Sequence, residues 1–367
     1  MARSFSIILM PTLRCNAACD YCFENKLAVD MRHDDLATIM ETICDYANAI
    51  AAEYVEVNWQ GGDILCLPPA WFERADTLIE QVARNAGVRV HHAGQTNLLG
   101  YDTSYRDIVF HFFGGVLGTS LDYPNLHRRA VGQPAEEYEA AWRDRADVAR
   151  ADGIELGVIS LPNRQTLELG PAAFLDHMVN TLGITSFQLN TPFPGGPGKD
   201  AGQTLDALDL ADFLIGLDIL RRNQAPHVRI GPFDVLEAAF HHAEKCLPCL
   251  WRPNCLKEFV AIDPMGNVAQ CDCWVTSYPE SRFGNLLDTP DLAKLFISPF
   301  AARLAKRPAS ILAKEDCLTC KHLALCHGGC PVRTYTAMGT LERKDPYCEL
   351  YYKLFDYAEQ AEPGVGA

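Results

Sequence analysis

Three cysteines of this 367-residue chain fall within one short stretch: Cys15, Cys19 and Cys22, spaced C-x3-C-x2-C. The chain carries 15 cysteines in all. Disulfides are disfavoured in a reducing compartment, so cysteines clustered this tightly point to metal. Three thiolates are too few to close a tetrahedral site. They suit an iron–sulfur cluster that leaves one iron open to a further ligand, with a zinc knuckle as the bland alternative. The thiols follow the apolar run Phe5-Ser6-Ile7-Ile8-Leu9-Met10, which reads as a buried strand. They therefore sit on the loop at its C-terminal end, the side on which parallel α/β proteins collect ligands.

A second group of thiols lies in the last third of the chain. Cys249 and Cys255 precede Gly266 and Cys271, and then comes the run Cys317-x2-Cys320-x5-Cys326-x3-Cys330-x17-Cys348. Eight thiols are the number that two four-thiolate sites require, whether those hold [4Fe–4S] clusters or structural zinc. Cys246 and Cys273 are neighbouring extras, either of which could replace a nearby ligand. Cys44 and Cys66 stand apart and read as buried, inert thiols.

The elements that must position these groups follow from periodicity. Asp34 and Asp35 can cap a helix running to about Glu53, with Leu36, Ile39, Met40, Ile43 and Ala47 on one face. Strands are predicted at Tyr54–Trp59, Val88–His91, Gly115–Leu121, Leu156–Leu161 and Phe187–Asn190, separated by helices. Most strands end in polar residues: Gln60-Gly61-Gly62-Asp63, Gln95-Thr96-Asn97, Ser120 and Asp122. This alternation predicts an α/β fold with six β-α repeats, a partial barrel rather than a full eight. Pro192 to Gly198 forms a rigid loop beside its mouth, and a helix from Leu205 to Asn223 closes the barrel. The alternation stops near Ala225. The expected organisation is a barrel over 1–228, a bridge over 229–248, a cysteine-rich domain over 249–350 and a helix or tail over 351–367.

Composition excludes some classes. A net charge of −15 argues against a nucleic-acid-binding surface. No apolar run approaches the roughly 18 to 20 residues of a membrane span, and the first strand is too short for a signal peptide. A cytoplasmic protein without a membrane partner is expected.

With Tyr21 before its third cysteine, the first motif resembles that of the radical SAM superfamily, and the resemblance covers nearly the whole chain. It implies that Cys15, Cys19 and Cys22 hold a [4Fe–4S] cluster whose open iron is chelated by S-adenosylmethionine. One electron then cleaves that molecule to a 5′-deoxyadenosyl radical, which abstracts hydrogen from substrate. Gln60, Gly61, Gly62 and Asp63 stand where the family has Gln-Gly-Gly-Glu, so they are expected to bind SAM, the carboxylate accepting from its ammonium. Ser120 matches the residue that binds the SAM carboxylate, and Arg128 or Arg129 could supply a cation there. Taken alone, Gly-Gly-Asp would be an ordinary turn, and an arginine at a helix start is often merely solvated.

The C-terminal cysteines resemble the SPASM pattern of anaerobic sulfatase-maturing enzymes and ribosomal-peptide maturases. That resemblance implies an auxiliary cluster I on Cys249, Cys255, Cys271 and Cys330, and an auxiliary cluster II on Cys317, Cys320, Cys326 and Cys348, for three [4Fe–4S] clusters in all. Asp272 matches a residue that takes a proton from the oxidising centre, although a turn Asp is the plain reading. The implied partners are a peptide or protein substrate and a flavodoxin- or ferredoxin-type electron donor. The short N-terminal stretch leaves no room for the leader-binding domain that some relatives carry. Leu98 and Tyr123 each stand where the sulfatase-maturase pattern has glycine, at positions where substrate would be read, and together with Asp63 in place of Glu they favour a ribosomal-peptide crosslinking enzyme over a formylglycine-forming one. A small-molecule dehydrogenase of an aminocyclitol or sugar alcohol, or a non-catalytic metal scaffold, are the further alternatives.

Overall fold

The computed structural model describes residues 4–201, 204–241, 247–252, 254–256 and 259–361. Its centre is one ten-stranded sheet. β1 (Ser4–Leu9), β2 (Tyr54–Trp59), β3 (Arg89–Thr96), β4 (Val116–Ser120), β5 (Glu155–Ser160), β6 (Ser186–Leu189) and β7 (Arg229–Gly231) lie side by side in chain order. Every neighbouring pair among them is parallel. On the other side of β1 the order continues with β8 (Phe259–Ile262), again parallel, and then antiparallel β9 (Asn267–Ala269) and β10 (Gly284–Asn285).

The strands obey a period of two because only one of their faces meets helices. In β2, Val55, Val57 and Trp59 are completely buried, whereas Glu56 and Asn58 between them are half-buried on the inner face. Trp59 packs edge-on against Trp71 and Phe72 of the helix Pro69–Ala86 and tilts against Phe112. That helix has proline in its first turn and ends on Gly87 at φ 68°, the left-handed position that favours glycine. The outer face is therefore hydrophobic core, and the inner face is a polar-lined chamber.

The partial barrel has the expected α/β form, with four differences in detail. The alternation does not stop near Ala225: β7 and the helix Phe233–His241 continue it. Three residues followed by proline are too short to display a period. The second is that the cysteine-rich segment contributes to the same sheet, because Ile7, Ile8 and Leu9 register with Val260, Ala261 and Ile262. Thirdly, the first helix spans His33–Ala49 with Arg32 at its N-cap, so Asp34 and Asp35 lie inside the first turn and favour it through the helix dipole. It stops before Glu53 because Ala51 turns left-handed at φ 53°. Finally, β3 runs on through Thr96 rather than ending at His91. Among the described residues no helix is long and apolar enough to cross a membrane.

Candidate active site

The loop carrying Cys15, Cys19 and Cys22 leaves the C-terminal end of β1 and is anchored on three sides. Ala18 and Asp20 donate their N–H groups to the carbonyls of Arg129 and His127, at 2.8 and 3.0 Å. Gly198, at the end of the proline-rich loop, donates to the Cys22 carbonyl at 3.0 Å, and a Cβ there would sit 2.3 Å from the Tyr21 carbonyl carbon. Only glycine allows that approach. Cys15 Sγ accepts from the Ala17 N–H at 3.4 Å and from Asn97 Nδ2 at 3.8 Å. All three thiols are half-buried. Burial pushes Cys15 up to about 12, with the Asp63 charge adding to it, and Cys22 up to about 11. Lys26 opposes both shifts; its Nζ donates to the Ala17 carbonyl at 2.5 Å.

Gly61, Gly62 and Asp63 close over the strand that delivers Cys15. The Gly62 N–H bonds the Thr12 carbonyl at 3.0 Å and the Asp63 N–H bonds that of Arg14 at 2.8 Å. Asp63 is 2% exposed, and its carboxylate is already used within the chain. It accepts from the Leu65 N–H (2.9 Å), the Asn97 N–H (2.6 Å) and the Thr96 hydroxyl (2.9 and 3.0 Å). Burial still raises its carboxyl to about 6. What this side chain does here is lock the end of β2 to the end of β3.

Ser120 ends β4 and accepts from Gln95 Nε2 at 3.0 Å. Gln95 lies over Gly118, where a Cβ would approach its Oε1 to 2.2 Å. On the neighbouring strand Gly157 registers with Gly118, and a Cβ there would meet nothing within 4 Å, so the space over Gly157 is open. Arg128 is 7% exposed and already paired: its Nε lies 3.0 Å from Asp122 Oδ2, and its guanidinium stands 5.3 Å from the centre of the Tyr21 ring. The Tyr21 hydroxyl donates to the same Asp122 oxygen at 2.5 Å. Arg129 pairs with Asp20, also at 2.5 Å, in a half-exposed position.

Asp272 opens the short helix Asp272–Ser277, with Cys271 as its N-cap, and faces the chamber from the cysteine-rich segment. Its Oδ2 accepts from Gln60 Nε2, which joins it to the loop at the end of β2. Its Oδ1 accepts from the Cys271 thiol and the Cys273 N–H, both at 2.8 Å. Burial raises its carboxyl above the ordinary range. A second carboxylate, Glu24, is 7% exposed and accepts from the Thr276 hydroxyl at 3.0 Å. Burial pushes it well up, and the Asp272 charge pushes it further.

The remaining thiols form two groups. Cys317, Cys320, Cys326 and Cys348 all line one cavity of about 250 Å³, together with Asp316, Lys344, Asp345 and Tyr352. Cys249, Cys255 and Cys271 each feel the charge of Cys330. Gln270 fixes the Cys255 loop by donating to the carbonyls of Cys255 and Phe259, at 3.0 and 2.6 Å. Cys249 is solvent-exposed, although the surrounding chain is dense enough to raise its thiol to about 11. Asp345 ties the groups together, accepting from the Cys330 N–H at 2.8 Å while its carbonyl accepts from the Cys348 N–H at 3.0 Å. Cys273 is fully buried and within electrostatic reach of both Cys330 and Cys22. Cys246 lies outside the described residues.

No family model matches the chain. It is 24% identical over 362 residues to a serine-type anaerobic sulfatase-maturating enzyme of Klebsiella aerogenes, across 96% of this chain and 84% of that enzyme. Native anSMEcpe with bound AdoMet and Cp18Cys peptide superposes with a TM-score of 0.80 at 20% identity, over 97% of this chain and 96% of that one. SuiB of Streptococcus suis bound to S-adenosylmethionine superposes with a TM-score of 0.59 at 15% identity, over 95% and 75%. The fold is that of the radical SAM/SPASM enzymes.

Within this radical SAM/SPASM fold the donor sets fit the groups that the fold family carries. Four thiols around one cavity have the chemistry of a cluster site. The open space over Gly157, opposite Gly118, leaves room on this part of the sheet. Of the two departures expected to face substrate, Leu98 is taken up by packing instead, and Asp63, expected to meet SAM, is occupied within the chain. Leu98 is completely buried and takes up, at φ 70°, the left-handed conformation that suits glycine. Asp63 is enclosed by its own hydrogen bonds. Tyr123 alone remains half-buried, stacked on His177 with ring centres 3.5 Å apart. Sequence reasoning missed Glu24 and Lys26, and it did not join Tyr21, Asp122 and Arg128 into one group or Asn97 to Cys15. Glu24 and Lys26 lie just past Cys22, and that proximity was the available signal.

Proposed function

We propose that this chain is a radical SAM/SPASM enzyme that oxidises a side-chain carbon of a peptide or protein. The observation carrying the reading is the convergence of three separate thiol groups on one molecule, with the Cys15–Cys22 loop and Asp272 facing the same chamber through Gln60. Cys15, Cys19 and Cys22 would hold the cluster that binds SAM, and Gly61, Gly62 and Ser120 would line the SAM site. When bound, the pair supplies a carbon-centred radical that takes a hydrogen atom from substrate. Asp272 is placed to accept a proton, since burial raises its carboxyl and so its basicity. Gln60 orients that carboxylate, whose charge in turn helps raise the buried Glu24. Cys249, Cys255, Cys271 and Cys330, with Cys317, Cys320, Cys326 and Cys348, would hold two auxiliary clusters that receive the electron. A flavodoxin- or ferredoxin-type protein is the class of external redox partner.

Two products are consistent with this arrangement. A crosslink in a ribosomal peptide is favoured by Tyr123, the departure that is not absorbed by packing. A formylglycine is favoured by the end-to-end likeness to a sulfatase-maturating enzyme. Anaerobic reconstitution tests the core of the reading: iron and sulfide should each approach about twelve per chain, and 5′-deoxyadenosine should form from SAM and a reductant. Failure of either removes it. Mass spectrometry of co-expressed precursor peptides then separates the products when combined with an aldehyde-reactive hydrazide: a crosslink and a serine-derived formylglycine both lose two hydrogens, but only the aldehyde takes the label.

A further inference from the structure

The turn Cys326-His327-Gly328-Gly329-Cys330 supplies one thiol to each of the two C-terminal groups, so it is the shortest covalent path between them. It is held from one side by Asp345 and from the other by Arg307, which projects from the helix Pro299–Lys314. Arg307 is 5% exposed. Its Nη2 donates to the Gly328 carbonyl at 3.1 Å, the Arg343 carbonyl at 3.3 Å and the Thr334 hydroxyl at 3.4 Å. Its Nε is buried with no acceptor, and it forms no ion pair among the described residues. The groups close enough to act on its charge are Cys330, Asp345, Cys255 and Cys326.

A guanidinium buried away from any paired carboxylate is costly, and such cations persist where another negative charge compensates. Three of the four groups around this one are thiols assigned above to auxiliary sites, Cys255 and Cys330 to one and Cys326 to the other. Ligated thiols are thiolates, and a cluster gains a further negative charge when it takes up an electron. Arg333 is also buried near Cys330 and Cys249, but it has the Tyr351 hydroxyl and Asp345 as partners, so its charge is already answered.

We infer that Arg307 is a positioning residue for electron transfer, a buried cation between the two auxiliary sites that raises their reduction potentials and keeps them able to take an electron from the chamber. The inference rests on the proposed presence of both auxiliary clusters. The test is a reductive titration of the reconstituted holoenzyme followed by electron paramagnetic resonance, comparing wild type, R307Q and R307K. The signal that responds to added SAM marks the Cys15–Cys19–Cys22 site and serves as the internal control. R307Q should lower the reduced-to-oxidised ratio of an auxiliary signal at fixed potential by tenfold or more, about 59 mV for a one-electron couple, and leave the control unmoved. R307K should restore most of the shift. Loss of auxiliary iron from R307Q but not R307K also supports the inference, because only the charge distinguishes them in kind. Full iron with unmoved auxiliary midpoints in R307Q overturns it. So does equal loss of iron from both variants, which would reduce Arg307 to packing. Wild-type holoenzyme with iron only at the SAM-responsive site would instead remove the two-cluster reading itself.

Discussion

Replacing Gly62 by alanine should damage the first thiol site without touching a thiol. The new Cβ would stand 2.1 Å from the Arg14 carbonyl oxygen, 2.6 Å from its carbon and 2.7 Å from the Leu13 carbonyl carbon. All three are backbone atoms, so no side chain can swing aside, and the gap must open by about 1 Å in a close-packed interior. The segment that has to move leads straight into Cys15. Opening the gap strains the bonds from Gly62 and Asp63 to Thr12 and Arg14. Two such bonds contribute about 1 kcal/mol each, and overpacking adds about 1 to 3 kcal/mol. A loss of about 3 to 5 kcal/mol is a large part of the 5 to 15 kcal/mol that typically holds a domain together. Denaturant unfolding of the metal-free chain measures this, and iron per chain after reconstitution should fall by about a third as the first cluster site is lost. Gly157→Ala makes the same chemical change where a Cβ meets nothing within 4 Å. It should alter stability by no more than about 0.5 kcal/mol and leave iron unchanged. If Gly62→Ala stays within about 1 kcal/mol of wild type and binds iron fully, the account of this loop is wrong.

Asp63 predicts a pH dependence. Its folded carboxyl is raised to about 6 from an ordinary 3.8, so between those values the folded chain holds a proton that the unfolded chain releases. Its contribution to stability is full below about pH 4, falls by about 3 kcal/mol as pH rises to about 6, and is flat above. Urea midpoints of metal-free Asp63→Asn should lack this component, and a pH profile identical to wild type would count against it. Asp63→Glu would make the Gly-Gly-Glu of the pattern that this segment resembles, yet should cost about 1 to 3 kcal/mol, because the extra methylene enters a site that is 2% exposed. Cys326→Ser should remove about a third of the bound iron and leave 5′-deoxyadenosine formation from SAM intact, whereas Cys44→Ser should leave both unchanged. Asp272→Asn should slow peptide product formation by about a hundredfold or more while 5′-deoxyadenosine still forms; loss of both together would place Asp272 in cluster binding instead.

How far the sequence revealed this arrangement depended on the kind of signal. Thiol spacing is local and needs no packing information, so the eight C-terminal thiols stood out directly, whereas their division into two groups came only from the resemblance to the SPASM pattern. Val55, Val57 and Trp59 announced β2 because a strand with one buried face must alternate. The three-residue β7 could not, since a period of two has no room to repeat. Side-chain partners were less legible still. Asp63 looked like a ligand residue because it follows two glycines, yet its acceptors are spent on Leu65, Thr96 and Asn97, the last two more than thirty positions away. Leu98 looked like a change in substrate reading because it replaces a glycine, and only the fold shows that its side chain turns into the core. Arg307 gave no signal at all. An arginine in an amphipathic helix is normally solvated, and its burial follows from the Cys326–Cys330 turn being folded against it.

The treatment of positive charge is consistent across the thiol groups. In a chain of net charge −15, most buried or half-buried arginines are claimed by carboxylates, as Arg128 is by Asp122 and both Arg221 and Arg222 are by Asp218. Two cations near thiols are not. Lys26 donates to the Ala17 carbonyl, and Arg307 to two carbonyls and a hydroxyl. Neutral acceptors fix where these groups point and leave them without a directly paired carboxylate, so part of the field of each falls on the thiols beside it. With thiols raised by burial to about 12 at Cys15 and at Cys326, binding metal means releasing protons into a site that disfavours thiolate. A cation so placed offsets that penalty once the thiolates form. The same residues would be a liability in a chain with no anionic group to receive them, which is why their placement supports thiolate-bound metal at these sites independently of the cysteine spacing.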